Sequence, residues 1–284
     1  MGIMMINVPS DVSRSVSAVK RRIFALDRKD FINHELYLPS SHILNSKGKY
    51  LRPTLVLLSA HSIGADPKSY IDLAAAAELL HTSSLVHDDI IDGDRTRRGV
   101  PAVHVKYGTE AAILGGDALI SKAIQLSSAY GKRVMDSMAN AALEMCAGEL
   151  LDYSFYKNRK IPDIDKYLEI ARLKSASLIG ASCSSVPIHK QDKRAKEFYS
   201  FGLNFGIAFQ IKDDISDIND EKRSKRNKPN LIISISKHEG LSNKEAADKA
   251  GMMMDKYIGE GLASIKSKKT RDMLSKYAEL LYSY

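Results

Sequence analysis

The pattern Asp-Asp-x-x-Asp occurs twice in this chain, each time at the end of a long segment of apolar and small residues. The copies are the first aspartate motif (Asp88, Asp89 and Asp92) and the second aspartate motif (Asp213, Asp214 and Asp217). On a helix the first and last carboxylates stack one turn apart, and the middle one is rotated by about 100° toward a neighbouring groove. Any fold of this chain therefore has to place two acidic helix ends beside a core.

The two motifs are either solvated helix ends or a binding site for a cation. Chance accounts poorly for them. A random chain of this length is expected to contain about 0.06 copies of the pattern, and the probability that it contains two is about 0.002. Carboxylates this close repel one another unless a cation neutralises them. Hard oxygen ligands favour Mg²⁺, which shares its coordination shell with substrate phosphates. The pattern therefore predicts a magnesium site, with the two motifs facing each other across a cavity.

Helical periodicity dominates the chain. Only 8 Pro and 17 Gly are spread over 284 residues, and Ala, Leu, Ile, Lys and Glu fill the stretches between them. The periodicity predicts helices from Ser10, as N-cap, to about Phe31, and over 53–64, 67–92, 109–129, 132–156, 165–185 and 190–217, with three helical segments beyond residue 230. No break in composition marks a linker, so one all-α domain over residues 1–284 is predicted.

Gly202 and Gly206 lie one turn apart in the last of these long helices. Glycine is costly inside a helix unless another backbone or a ligand approaches closely, so a close approach is predicted there.

The net charge of +8 suits an anionic partner such as phosphate, nucleic acid or lipid headgroups. No Trp and no basic stripe interleaved with aromatics are present, so no nucleic-acid partner is expected, although a basic helical protein on membranes or nucleic acid stays an alternative. Cys146 and Cys183 lie in apolar helical pattern and are expected to be buried free thiols, which fits a cytoplasmic location. No transmembrane segment is expected, and the first apolar stretch is too short for the core of a signal peptide and is interrupted by Pro9 and Asp11.

Basic residues accompany the first aspartate motif. Arg95, Arg97 and Arg98 follow it directly, and Lys49 and Arg52 precede a predicted helix. Carboxylates with Mg²⁺ hold a diphosphate through metal, whereas guanidinium and ammonium groups hold one through charge-assisted hydrogen bonds. The joint pattern predicts two diphosphate sites.

These segments resemble the trans-type isoprenyl diphosphate synthases, or polyprenyl synthetases, and are most like geranylgeranyl diphosphate synthases. The resemblance is carried in order by "GKYLRP" (48–53), "HTSSLVHDDIID" (81–92), "RRGVPAVH" (97–104), "GGDAL" (115–119), "LKSA" (173–176) and "GIAFQIKDDISD" (206–217). It implies an all-α helical bundle around a deep central cavity, the isoprenoid synthase fold. It also implies a homodimeric prenyltransferase that uses isopentenyl diphosphate and an allylic diphosphate, with Mg²⁺ as its only cofactor, three ions per active site when substrate is bound.

The resemblance also assigns roles to residues at matching positions. The metal cluster is Asp88, Asp89, Asp92 and Asp213, with Asp214 and Asp217 near it or bound through water. The allylic diphosphate is held by Arg97, Lys174, Gln210 and Lys228, with Ser175 beside them, and these four and the metal cluster are the catalytic set. Isopentenyl diphosphate is held by Lys49, Arg52, His81 and Arg98.

The chain departs from the family pattern at three places. The usual Gly-Gln is Gly148-Glu149, and the usual Lys-Thr is Lys174-Ser175. The loop "NDEKRSKRNKPNLIISI" after Asp217 is shorter than usual and lacks glycine, which leaves Lys225 and Lys228 both open as the loop lysine.

Product length is expected to follow from the residues upstream of Asp88. An isoprene unit of roughly 5 Å matches one helical turn of about 5.4 Å. Ser83 and Ser84, one turn up, are small, and Leu80 lies a turn deeper as a partial floor. The expected product therefore has at least twenty carbons, most of all geranylgeranyl diphosphate, with twenty-five to thirty carbons as the alternative. The serines could instead reflect tight helix packing alone.

Two further alternatives share the fold. A terpene cyclase needs no second diphosphate site, so the basic residues at 49, 52, 81 and 98 argue against it. A non-catalytic subunit that modulates an active partner would tend to lose an aspartate motif, and both are intact.

Overall fold

The computed structural model describes residues 8–46, 48–218 and 230–282, and nearly all regular structure in them is helical. The α-helices are α1 (Ser10–Phe24), α2 (His34–Leu44), α3 (Leu51–Ser62), α4 (Ile71–Ile91), α5 (Val103–Tyr107), α6 (Thr109–Ser128), α7 (Lys132–Lys157), α8 (Ile164–Ala171), α9 (Ser177–His189), α10 (Ala195–Ile218), α11 (Leu231–Glu239), α12 (Asn243–Ser264) and α13 (Lys268–Ala278). This confirms the all-α class.

Short elements interrupt the helices. A two-residue hairpin joins strands β1 (Thr96–Arg97) and β2 (Val100–Pro101), and 3₁₀ turns cover Arg28–Phe31, Pro67–Tyr70 and Glu279–Tyr282. A π-helical segment, Arg172–Ala176, connects α8 to α9 without a break. Such π segments are rare and often occur at functional sites.

Backbone contacts divide the chain into two units. The first unit comprises Val8–Met138 and Ser185–Asp192, and in it α4 packs against α1, α3 and α6. The second unit comprises Ala139–Ser184 and the described part of Lys193–Tyr284, and in it α10 packs against α8, α11, α12 and the π segment. The organisation of the whole chain as one domain stays a prediction.

The N-terminal region differs from the predicted single helix over residues 10–31. Helix α1 ends at Phe24, and Asp27 then opens a 3₁₀ turn through a capping box with Asp30. Ser10 is the first residue of α1 and Pro9 occupies the N-cap without a side-chain bond, so the predicted Ser10 cap is wrong. Helix α2 was not predicted at all; it begins where the Asn33 side chain accepts a hydrogen bond from Leu36 N at 2.9 Å.

The glycines of α10 meet a neighbouring backbone, as predicted. A Cβ at Gly202 would lie 2.7 Å from Gly180 Cα, and one at Gly206 would lie 2.6 Å from Ala176 Cα. Both distances are well inside van der Waals contact, so only glycine permits this packing. The pair therefore fixes α10 against α9 and the π segment.

Both cysteines are free, but only one is buried. Burial raises the pKa of Cys183, whereas Cys146 on α7 is exposed, so the prediction of two buried thiols is wrong for Cys146. The face of α7 that carries Cys146 is therefore exposed, although its sequence is apolar. No helix within the described ranges combines the length and the apolar character needed to span a bilayer.

Candidate active site

The first aspartate motif lies at the carboxyl end of α4. Asp89 is 1% exposed, whereas Asp88 and Asp92 are only partly covered. This is the arrangement that helical geometry predicts, with the first and last carboxylates on one accessible face and the middle one turned into the protein.

Asp89 is paired with an arginine of the hairpin. Arg97 Nε donates to Asp89 Oδ1 at 2.7 Å, and Arg97 Nη2 contacts the same oxygen and also donates to Asp94 Oδ2 at 3.1 Å. Burial raises the pKa of Asp89, while the Arg97 guanidinium lowers it. Burial alone would lower the pKa of Arg97, but the carboxylates of Asp89 and Asp94 raise it. The guanidinium thus compensates a buried carboxylate that would otherwise carry an uncompensated charge.

The hairpin turn directs the neighbouring side chains of Arg97 and Arg98 to different partners. Arg98 and Gly99 both have positive φ, at 53° and 82°, as the central residues of a type I′ turn require. The left-handed region is unfavourable for an arginine by roughly 1–2 kcal/mol, so the surroundings must hold it there. The turn directs Arg97 to the aspartates, while Arg98 takes a different partner.

That partner is Glu78, a carboxylate in the middle of α4 that is 3% exposed. Arg98 Nη2 lies 3.7 Å from Glu78 Oε1. A Cβ at Gly48 would lie 3.1 Å from Arg98 Nη1 and 3.3 Å from Glu78 Oε1, so the loop passes close over this pair. Burial raises the pKa of Glu78, and the charges of Arg98, Arg52 and Lys20 oppose that rise.

Tyr50 and His81 complete this cluster. Tyr50 has a φ of 54°, Lys20 Nζ lies 4.7 Å from the centre of its ring, and burial beside Glu78 raises its pKa to about 12. Burial lowers the pKa of His81 well below 6.5, and the positive charges of Arg52, Arg98 and Arg97 lower it further. His81 is therefore a neutral imidazole among cations. We name this group the cation cluster: Lys20, Gly48, Tyr50, Arg52, Glu78, His81 and Arg98.

In the second unit, Asp214 is held on both carboxylate oxygens. Its Oδ2 accepts from Tyr167 Oη and from Leu231 N at 2.8 Å, and its Oδ1 accepts from Gln210 Nε2 at 3.1 Å. Burial raises the pKa of Asp214 to about 7, although these hydrogen bonds lower it. Asp213 and Asp217 are partly covered, like the outer members of the first motif.

The π segment carries two predicted substrate residues to different partners. Ser175 Oγ donates to Gln210 Oε1 at 2.7 Å. Lys174 Nζ lies 2.5 Å from Glu149 Oε2 and donates to Asp152 Oδ2 at 2.8 Å. Glu149, where the resemblance leads one to expect a glutamine, therefore forms an ion pair with Lys174.

The predicted residues thus fall into groups within each unit. In the first unit, Arg52, His81 and Arg98 share the cation cluster, with Lys49 in the adjoining loop and Arg97 on the aspartates. In the second unit, Ser175, Gln210 and Asp214 form one hydrogen-bonded chain. Both candidates for the loop lysine, Lys225 and Lys228, lie outside the described residues.

The predicted chain-length residues all lie on α4. Ser83 is 1% exposed and Leu80 is 8% exposed, whereas Ser84 is partly covered and donates to His81 O at 2.9 Å. The Ser83 hydroxyl has no hydrogen-bond partner among the described residues. Their effect on product length stays a prediction.

Sequence reasoning missed several residues of these groups. Glu78 and Asp94 carried a signal, because Glu78 is a lone charge in the apolar run of α4 and Asp94 directly follows the first motif. Tyr167 and Asp152 carried none, since their partners are 47 and 22 residues away along the chain.

Comparison with known proteins gives a consistent result. A model of the polyprenyl synthetase family matches residues 33–231. A geranylgeranyl pyrophosphate synthase of Geoglobus acetivorans is 39% identical over 64% of this chain and 60% of its own length. A geranylfarnesyl diphosphate synthase of Natronomonas pharaonis is 37% identical over 64% of this chain and 60% of its own length. The matches therefore span about three fifths of these relatives.

The solved structures agree over a longer part of the chain. The geranylgeranyl pyrophosphate synthetase structure from Geoglobus acetivorans is 29% identical, with a TM-score of 0.88, and the similarity covers 96% of this chain and 99% of that one.

Proposed function

The chain belongs to the polyprenyl synthetase family, and from this membership we propose that it is a prenyltransferase that condenses isopentenyl diphosphate with an allylic diphosphate. One observation carries the proposal: in the first unit, the partly accessible Asp88 and Asp92 lie at the carboxyl end of the helix that carries His81 and Glu78 of the cation cluster. One helix thus holds carboxylates suited to a metal ion at its end and, in its interior, one residue of the proposed direct diphosphate site, His81.

The donor set of the first motif fits Mg²⁺. Within the described ranges, no three His, Cys, Asp or Glu side chains come together as a metal site. Magnesium is usually bound through one or two protein carboxylates plus substrate phosphates, so a pair of carboxylates such as Asp88 and Asp92 is a suitable ligand set for it. Asp213 and Asp217 offer the equivalent pair in the second unit. The number of ions stays a prediction.

The proposed chemistry is ionisation of the allylic diphosphate, attack of the isopentenyl double bond on the allylic cation, and transfer of a proton from the condensed cation to the released diphosphate. Bound Mg²⁺ would supply positive charge against the charge that develops on the leaving diphosphate. Arg97, Lys174, Ser175 and Gln210 are proposed for the allylic diphosphate, and Lys49, Arg52, His81 and Arg98 for isopentenyl diphosphate. His81, being neutral, can stand among arginines without adding to their mutual repulsion.

The proposed product has at least twenty carbons, and geranylgeranyl diphosphate is the product that we favour. Ser83 and Ser84 place small side chains at the positions five and four residues before Asp88. The similarity to a geranylfarnesyl diphosphate synthase keeps a product of twenty-five carbons as the alternative. Replacing Ser83 with Phe is expected to shorten the product, and chromatography of the dephosphorylated alcohols measures it; unchanged length would contradict this role.

A homodimer is proposed as the working form. Helix α7 exposes apolar side chains two turns apart, with Leu143 at 70% and Leu150 at 69% exposure and Cys146 between them. This spacing is that of one helix face, and a second copy would cover it. Sedimentation of the wild type and of Leu143→Asp tests this, since a dimer at this face should dissociate in the variant. The cytoplasmic location stays a prediction.

The proposed activity is tested with the purified protein, Mg²⁺, labelled isopentenyl diphosphate and farnesyl diphosphate. The expected product is an elongated alcohol after dephosphorylation, and its formation should stop when Mg²⁺ is chelated. Absence of any elongated product would contradict the proposal and favour a non-catalytic subunit.

A further inference from the structure

The carboxylate of Asp214 joins three helices of the second unit. Tyr167 belongs to α8, Gln210 is one turn before Asp214 on α10, and Leu231 is the first residue of α11. Asp214 is 5% exposed and receives a donor from each of these helices. The backbone carbonyl of the same residue also accepts from Asn230 Nδ2 at 3.4 Å.

These bonds determine the orientation of the Gln210 amide. Its Nε2 donates to Asp214, which leaves Oε1 to accept from the Ser175 hydroxyl at 2.7 Å. A flipped amide would present its oxygen to a carboxylate, and both groups are acceptors. Asp214 therefore specifies which end of the amide faces Ser175 in the π segment.

The same carboxylate lies at the amino end of α11. The Leu231 N–H points at Asp214 Oδ2, and Asn230 caps the helix by accepting from Ile232 N at 2.8 Å. Backbone N–H groups at a helix start attract negative charge, so this contact is favourable for a carboxylate. Asp214 thus fixes the position at which α11 begins.

We propose that Tyr167 and Asp214 are positioning residues, which hold the Gln210 amide and the start of α11, and that Asp214 does not ligate metal. Three donors already occupy most of the acceptor positions of the buried Asp214 carboxylate, whereas Asp213 and Asp217 are partly accessible. The proposal rests on the proposed function, in which Gln210 and Ser175 contact the allylic diphosphate.

The test compares Tyr167→Phe, Asp214→Asn and Asp213→Asn in the full-length protein. Tyr167→Phe and Asp214→Asn are expected to raise KM for the allylic diphosphate about tenfold, the equivalent of one hydrogen bond to a charged group. Both should leave the Mn²⁺ affinity measured by electron paramagnetic resonance with inorganic diphosphate within about threefold of wild type, whereas Asp213→Asn weakens it more. Tyr156→Phe, which changes an exposed tyrosine near the end of α7, is the matched control, with no effect expected.

Hydrogen exchange gives a readout that needs no turnover. Tyr167→Phe should speed exchange at the start of α11, in peptides that contain Leu231 and Ile232, while α13 exchanges as in wild type. The proposal is overturned if Asp214→Asn weakens Mn²⁺ binding as much as Asp213→Asn, or if Tyr167→Phe leaves both KM and this exchange unchanged. If the wild type makes no product, the proposed function fails, while the Mn²⁺ and exchange measurements still decide the roles of Tyr167 and Asp214.

Discussion

The two aspartate motifs have the same pattern, yet their middle residues are stabilised in different ways. Burial raises the pKa of Asp89, and the paired guanidinium of Arg97 opposes that rise. Asp214 is held by a phenol, an amide and a backbone N–H, and burial raises its pKa to about 7. A cation favours the charged carboxylate far more than neutral donors do. The difference shows that one sequence pattern defines the accessible pair, while the packing of each unit defines the middle residue.

The largest expected effect on activity concerns the partly accessible first and last aspartates of the two motifs. Asp92→Asn is expected to lower kcat by about 10³-fold, because it removes a proposed carboxylate ligand of the Mg²⁺ that would stabilise the negative charge developing on the leaving diphosphate. Asp72→Asn, at the start of the same helix and paired with Arg22, is the control and should stay near wild type. Steady-state kinetics at saturating Mg²⁺ measures both. Equal loss in the two variants would show that the fall reflects damage to α4 instead.

The next prediction compares how much the partners of the two middle aspartates, Asp89 and Asp214, contribute to the stability of the fold. Arg97→Met leaves Asp89 buried without its cation, so the free energy of unfolding should fall by about 3–5 kcal/mol. Tyr167→Phe removes one neutral donor from Asp214, so the expected fall is about 1–2 kcal/mol. Urea denaturation measures both.

The control for this pair is the double variant Asp89→Asn/Arg97→Met, which should regain part of the lost stability because the unpaired charge is gone. Equal losses for Arg97→Met and Tyr167→Phe would contradict the distinction between the two motifs.

Helix packing gives the third contrast, since α4 meets its neighbours through alanines and α10 through glycines. Gly206→Ala should lower the free energy of unfolding by about 1–3 kcal/mol, because the new Cβ would overlap Ala176. Gly251→Ala in α12 is the matched control; a Cβ there meets nothing within 4 Å, so the variant should gain about 0.5–1 kcal/mol. Thermal unfolding of both variants measures the contrast, and destabilisation of both would contradict it.

What could be predicted from the sequence was local. The period of α4 and α10, the two motifs and the close approach at Gly206 follow from residues within a few turns of one another. Helix α2 was missed because its start depends on Asn33 and its interior contains Pro39. The Tyr167 and Asp214 contact was missed because 47 residues separate two side chains that carry no shared pattern. Tertiary packing supplies these features, and no local period encodes them.

The smallest effect concerns pH and the neutral histidine of the cation cluster. Because burial and three arginines keep the pKa of His81 well below 6.5, the unfolded chain takes up a proton there that the folded chain does not. Stability that is present above pH 6.5 is therefore lost as the pH falls, by about 0.7 kcal/mol between pH 7 and pH 6. Glu78, whose pKa is raised, has the opposite dependence, but it is common to both proteins when the wild type is compared with His81→Gln. The difference in free energy of unfolding between them, measured by urea denaturation at each pH, should shrink toward pH 6. If the difference in free energy of unfolding did not change with pH, His81 would take up a proton as readily in the folded as in the unfolded chain. That result would contradict the conclusion that His81 is a neutral imidazole among arginines.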